Sequence, residues 1–325
     1  MRALLLAAAL CAPVAAQPIR LVDDAGQRLE LPGPARRIVA LSPHVTELLF
    51  AVGAGDRVVG VDAWSNYPAA ARQLPRVGDL YALDLERIVA LKPDLLIVWH
   101  NGNSQRQLDV LRGLGLPIYF DGPRRLADIP HSLEQMGRLA GSAAQAEAVA
   151  GTMRARVEAL RVRHAAKPKV SVFYQVWTRP LLTVNATTLI GDVITLCGGA
   201  NIFGHLPMQA PRVGIEAVIE ADPQVILAAS LGQISADGTD AESGPGASAN
   251  QGSAGRTSDK AQTSALDDGA ARADFSLWRA WPRLRAVRHH HLVALSDDLI
   301  SRHTPRVLDG AERLCRALDA ARPRP

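Results

Sequence analysis

The chain has 325 residues, 48% of them apolar, with 36 Lys and Arg against 32 Asp and Glu, a formal charge of +4. That apolar content supports sizeable cores and a division into two domains, and it excludes a disordered, fibrous or collagen-like chain. Three cysteines exclude a disulfide-dense scaffold, and the modest basic excess, without a basic cluster, gives no case for a nucleic-acid partner.

Residues 1–16, MRALLLAAALCAPVAA, read as a secretory signal: Arg2 supplies the positive start, 4–10 the apolar stretch, and Val14-x-Ala16 the small-residue cleavage site. The apolar stretch falls well short of the roughly 20 residues that span a bilayer. A lipid-anchored Cys11 is the alternative, against which stands the bulky Leu10. The expected product is a soluble, exported protein. Removal of the signal leaves Cys197 and Cys315, 118 positions apart, either as a disulfide in an oxidising compartment or as two buried thiols.

Short branched runs then alternate with helical patterns. Strands are expected at 36–41, 58–61, 95–98 and 117–120, and helices at 46–50, 85–91 and 108–114. The alternation predicts an N-terminal α/β lobe over 35–141 with a mostly parallel sheet. Residues 142–167 form a long helix with one apolar stripe through Val149, Met153, Val157 and Leu160. We read it as a connector of two lobes, with a surface helix of the first lobe as the alternative. A C-terminal lobe over 168–321 follows. It has strands at 169–174, 181–184, 225–228 and 292–295, and helices at 192–196, 216–220 and 306–318. Residues 232–274, rich in Gly, Ser, Ala, Thr and Asp, predict a disordered insertion in this lobe.

An internal repeat links the two lobes. ERIVALKPDLLI at 86–97 and EAVIEADPQVIL at 216–227 each place a proline seven residues after a glutamate, with a branched run behind it. Proline ends the helix and the run enters the sheet. Two similarly built lobes predict a ligand cleft at a domain interface.

The chain carries no dinucleotide fingerprint, phosphate loop, nucleophile elbow or His-Glu-x-x-His pair, so enzymatic chemistry has no motif to rest on. The 14 aromatics are more informative. Trp64 and Tyr67 sit in a turn, Tyr81 in a loop, and Trp99 and Trp177 directly after strands, where sheets of this kind bind ligands. A local core plug is the alternative for each. His44, His100 and His205 also fall in expected loops and are weak candidates to ligate the metal of a bound complex.

With RIVALSPHVTELLFAVGAGDRVVGVDAWSNYP, LERIVALKPDLLIVWHNGNSQRQL, LCGGANIF and TPRVLDGAERLC, the chain resembles the periplasmic substrate-binding proteins of vitamin B12 importers. These belong to a class of metal-chelate receptors with a rigid helical backbone. The likeness covers 36–231 and 276–320. It implies two Rossmann-like lobes joined by one long helix, a non-enzymatic role, and no catalytic cofactor. The expected cargo is cobalamin or another corrinoid, with a haem or siderophore-type chelate as the alternative. The expected protein is a periplasmic monomer that serves an ABC permease and its ATPase subunits. The likeness places Cys197 and Cys315 on the family's disulfide, and Glu86 and Glu216 on its two permease-docking acids. It places Trp64, Trp99, Asp298 and Arg302 on ligand contacts. Leu80, Val176 and Ala210 stand where the family has aromatics, and Tyr81 and Trp177 stand beside the first two of these.

Overall fold

The computed structural model describes residues 18–100, 102–230 and 273–323. The expected signal at 1–16 lies outside the described residues, as does the expected insertion except for Ala273 and Asp274.

An antiparallel hairpin, β1 (Ile19–Val22) with β2 (Arg28–Leu31), opens the described chain. Then come β3 (Ile38–Ala40), α1 (Pro43–Ala51), β4 (Val58–Val61), α2 (Leu85–Ala90), β5 (Leu95–Trp99), α3 (Gln105–Gly113) and β6 (Ile118–Asp121). Helices α4 (Ile129–Ala140) and α5 (Ala143–Ala165) lead to β7 (Val170–Gln175), the short hairpin β8 (Trp177–Thr178) and β9 (Leu181–Leu182), α6 (Leu189–Leu196) and β10 (Gly199–Asn201). The chain continues through α7 (Ile215–Ala221), β11 (Val225–Ser230), α8 (Ser276–Arg279), α9 (Arg285–Arg288), β12 (Leu292–Ser296), α10 (Asp297–Ile300) and α11 (Val307–Ala321).

The chain divides into two compact units. The first runs through Gly122 and includes Ser132–Val149; the second takes Pro123–His131 and everything from Ala150. The long helix α5 belongs to both, changing unit after Val149. Its buried face is Ala146, Ala150, Met153, Leu160 and His164, with Val157 half-buried. The stripe therefore passes through Ala150 rather than the expected Val149, which is only partly covered. The expected strand at 181–184 is also shorter, stopping at Leu182.

Each unit has a four-stranded parallel sheet. The orders are β4-β3-β5-β6 and β10-β7-β11-β12, so both sheets follow one plan: second strand, first, third, fourth. The strands bury both faces, as parallel strands under helices must: β3 is fully buried and β5 is buried through Val98. Val39, Leu96, Val98 and Phe120 pack with Ile88 of α2 and Leu108 and Leu111 of α3 in the first core. Phe173, Phe203 and the fully buried Trp278 anchor the second. Cys197, after α6, and Cys315, on α11, form a disulfide inside the second unit.

Candidate functional site

Parallel strands place all their carboxyl ends along one edge of a sheet, and ligands of open α/β sheets bind there. In the first unit this edge is built by the residues that follow β3, β4, β5 and β6. Ser42 follows β3 and caps α1, its Oγ accepting from the Val45 amide at 3.5 Å, with Pro43 in the first turn. His44 comes next and is buried. Its Nδ1 lies 2.8 Å from Ser42 Oγ, and its Nε2 lies 3.2 Å from Oδ2 of the buried Asp121 at the end of β6. The His44 ring meets Trp99, the last residue of β5, edge to face at 6.0 Å between centroids and 81° between planes.

The loop after β5 presses on Trp99. A Cβ on Gly102 would come within 3.2 Å of both Trp99 Cβ and Leu80 Cδ1, so a side chain there would press on both residues. Leu80 and Trp99 are thereby brought to one spot. Beside them Asp79 Oδ1 accepts from the amides of Tyr81 (2.8 Å) and Ala82 (2.9 Å), and this turn presents Tyr81 81% exposed. After β4, Asp62 organises the next turn. Its carboxylate accepts from the Trp64 amide at 3.2 Å and from the Ser65 hydroxyl, while Arg76 donates to the carbonyls of Asp62 (3.0 Å) and Ser65 (2.8 Å). The backbone is fixed and the Trp64 side chain stands 60% exposed. Burial, with the nearby carboxylates Asp121, Asp24 and Asp23, pushes the Tyr119 hydroxyl far above its ordinary range.

The second unit repeats the arrangement. β7 ends at Gln175, which is buried and bridges Trp278 Nε1 (2.6 Å) to the Asp274 carbonyl (3.0 Å). The chain then turns outward, so Val176 and Trp177 are exposed, and Trp177 Nε1 donates to the Arg179 carbonyl at 3.0 Å. Beyond β12, Asp298 of α10 pairs with Arg302 at 2.7 Å, both half-sheltered. Burial and the Asp297 carboxylate raise the Tyr174 hydroxyl well above its usual value at this edge. Ala210 lies exposed in a loop tied down through Gln209 and Pro211, whose carbonyls accept from the amides of Asn185 and Thr183 at 3.1 Å each.

Among the histidines, both His44 ring nitrogens lie within hydrogen-bond distance of protein partners, Ser42 and Asp121. His100 is half-buried edge-on to Phe120, and His205 is exposed. No group of three or more His, Cys, Asp or Glu among the described residues is placed to hold a metal ion. Glu86 and Glu216 are both exposed, each the second residue of its helix, α2 and α7. A cavity of about 820 Å³ in the second unit, beside α5 and α6, contains none of the expected ligand residues. Two of its arginines are already paired, Arg125 with Asp192 and Arg161 with Glu158.

Sequence reasoning missed the polar residues that set the aromatics: Ser42, Asp62, Asp121 and Gln175. Their common signal is position, as the first polar residue at or just past the end of a buried strand.

The chain matches the family described as Periplasmic binding protein over residues 38–299. It is 33% identical over 294 residues to the vitamin B12-binding protein of Vibrio cholerae, covering 90% of this chain and 92% of that protein. It is 40% identical over 200 residues to the vitamin B12-binding protein of Yersinia pestis, covering 61% and 71%. This is a periplasmic binding protein.

The crystal structure of the periplasmic vitamin B12 binding protein BtuF of Vibrio cholerae superposes with a TM-score of 0.69 at 32% identity, over 89% of this chain and 98% of that one. The periplasmic haem-binding protein RhuT from Roseiflexus sp. RS-1 gives 0.68 at 24% identity, over 89% and 100%, a likeness of fold. No helix of the described residues in this periplasmic binding protein is long and apolar enough to cross a membrane.

Proposed function

We propose that this periplasmic binding protein is a non-enzymatic receptor that captures cobalamin or a related corrinoid and delivers it to an ATP-driven importer of the inner membrane. The observation that carries the reading is the exposure of Trp64, Tyr81 and Trp177 at the carboxyl edges of two parallel sheets, with Trp99 half-exposed beside Leu80. Exposed large aromatics on anchored turns are costly to leave in water and suit the flat face of a macrocycle. The full-length likeness to vitamin B12-binding proteins supports the corrin as that macrocycle. Val176, Ala210, Asp298 and Arg302 complete the proposed contact set. The Asp298–Arg302 pair offers both charge signs to polar side groups of the cargo. Glu86 and Glu216 are the proposed docking acids for the permease, with the receptor acting as a monomer.

A haem or other metal chelate is the second reading. It is favoured by Leu80, Val176 and Ala210, which give this site less aromatic surface than the family pattern. Calorimetric titration of the mature protein with cobalamin, cobinamide and haem separates the two. A 1:1 complex with cobalamin, and no heat with haem, is expected. Haem binding without corrinoid binding overturns the first reading.

A further inference from the structure

Trp99 is held from two sides, and the two sides differ in kind. On one, the Gly102 peptide lies close enough that a Cβ there would touch the Trp99 side chain at 3.2 Å. On the other stands the His44 ring, edge to face. An exposed aromatic at a strand end ordinarily chooses among several side-chain rotamers. His44 has no such freedom. It is 7% exposed, and its two nitrogens are bonded to groups from opposite directions, Ser42 Oγ on its own turn and Asp121 Oδ2 at the end of β6, 77 residues away in sequence. Ser42 Oγ accepts from the Val45 amide, so its own proton is available to Nδ1; the Nε2 proton then goes to the Asp121 carboxylate. Asp121 is in register with Trp99 across the β5–β6 pair, so the same strand pair fixes the ring and the anchor of its buttress.

We infer that His44 is the positioning residue for Trp99: its imidazole, pinned at both nitrogens, holds the Trp99 indole in one orientation before cargo arrives. This rests on the reading of Trp99 as a cargo contact. Preorganisation of this kind raises affinity by removing the cost of ordering the side chain on binding. His44 itself does not touch the cargo.

The test uses full-length mature protein labelled with 5-fluorotryptophan, the Trp99 signal being the fluorine resonance lost in W99F. In H44A without ligand, this resonance should broaden or split while that of the core Trp278 stays in place. Cobalamin affinity should fall about 10-fold, the scale of one good aromatic contact. In a W99A background, H44A should weaken binding by less than about 2-fold, because the residue acts through the indole. An unchanged Trp99 resonance in H44A overturns the inference, as does an equal loss of affinity in both backgrounds. If wild type binds no cobalamin, the cargo reading fails while the resonance still decides the positioning role. Should H44A not fold, H44Q keeps a donor and an acceptor, drops the ring, and carries the same expectations.

Discussion

Trp64 and Trp278 are the same residue type under opposite constraints. Trp278 is fully buried against Phe173, with 5.3 Å between centroids, and it satisfies Gln175 through its Nε1. Trp64 is 60% exposed on a turn whose backbone Asp62 and Arg76 already hold. Truncating Trp278 to Ala should therefore cost about 3–5 kcal/mol, partly because Gln175 loses its donor. W64A should change stability by no more than about 0.5 kcal/mol. Its loss should show instead as a cobalamin affinity lowered at least about 10-fold, as for a removed aromatic contact. Urea denaturation and titration of the two variants check both halves; a W64A protein as destabilised as W278A would make Trp64 a core residue. The distinction was legible in part: Trp64 sits among Ser, Asn, Tyr and Pro, a turn composition, whereas Trp278 lies among Phe275, Leu277 and Leu284. The contact of His44 with Asp121 was not legible, because no local pattern names a partner 77 residues away.

The helix–proline–strand unit shows how the repeat works physically. In both copies the residue before the proline leaves the helix in the left-handed region, Lys92 at φ 47° and Asp222 at φ 41°. The residue after the proline ties its strand to the first strand of the sheet. Asp94 accepts from the Arg37 amide at 2.9 Å just before β3, and Gln224 Oε1 accepts from the Ser171 amide of β7 at 3.0 Å. The two copies differ in what the left-handed residue does. The Asp222 side chain accepts from the Arg285 amide at 2.8 Å and its Nε at 2.9 Å, whereas Lys92 is exposed. Glycine relieves the backbone at either place, so K92G should raise stability by roughly 0.5–1 kcal/mol. D222G should lower it by about 1–2 kcal/mol through the lost bonds to Arg285. Denaturation midpoints of the two variants should move in opposite directions; movement in the same direction would refute this account. The sheet strands with branched runs were readable from sequence. β10, Gly199–Asn201, was not, because Gly-Ala-Asn has no strand propensity and is held by its pairing to β7. The β1–β2 hairpin escaped because each strand has only four residues, too few for its alternation to stand out as a period. Helix α4 escaped because Ile-Pro opens it and Gly137 interrupts its pattern, Gly137 being where Ala146 packs too close for a side chain.

At the scale of the molecule, the matching strand orders make the repeat a repeat of whole sheets. α2 feeds the third strand of one sheet and α7 the third strand of the other, so Glu86 and Glu216 occupy equivalent positions in the two units. Each acid is exposed in the first turn of a short helix, where a carboxylate gains roughly 0.3–1 kcal/mol from the helix dipole. A purely local role would end there, and reversing both to Lys would only lower stability by a comparable amount. A docking role predicts a different pattern, because charges at the rim of an interface govern encounter and register more than the cargo site. The E86K/E216K protein should bind cobalamin within about 2-fold of wild type, since neither acid belongs to the proposed contact set. It should fail to support cobalamin uptake by vesicles carrying the importer, and each single reversal should lower uptake with a shallower dependence on salt, one attraction then being set against one repulsion. Normal uptake by the double variant would assign both glutamates to helix stability alone and leave the docking surface to be sought elsewhere on the two units.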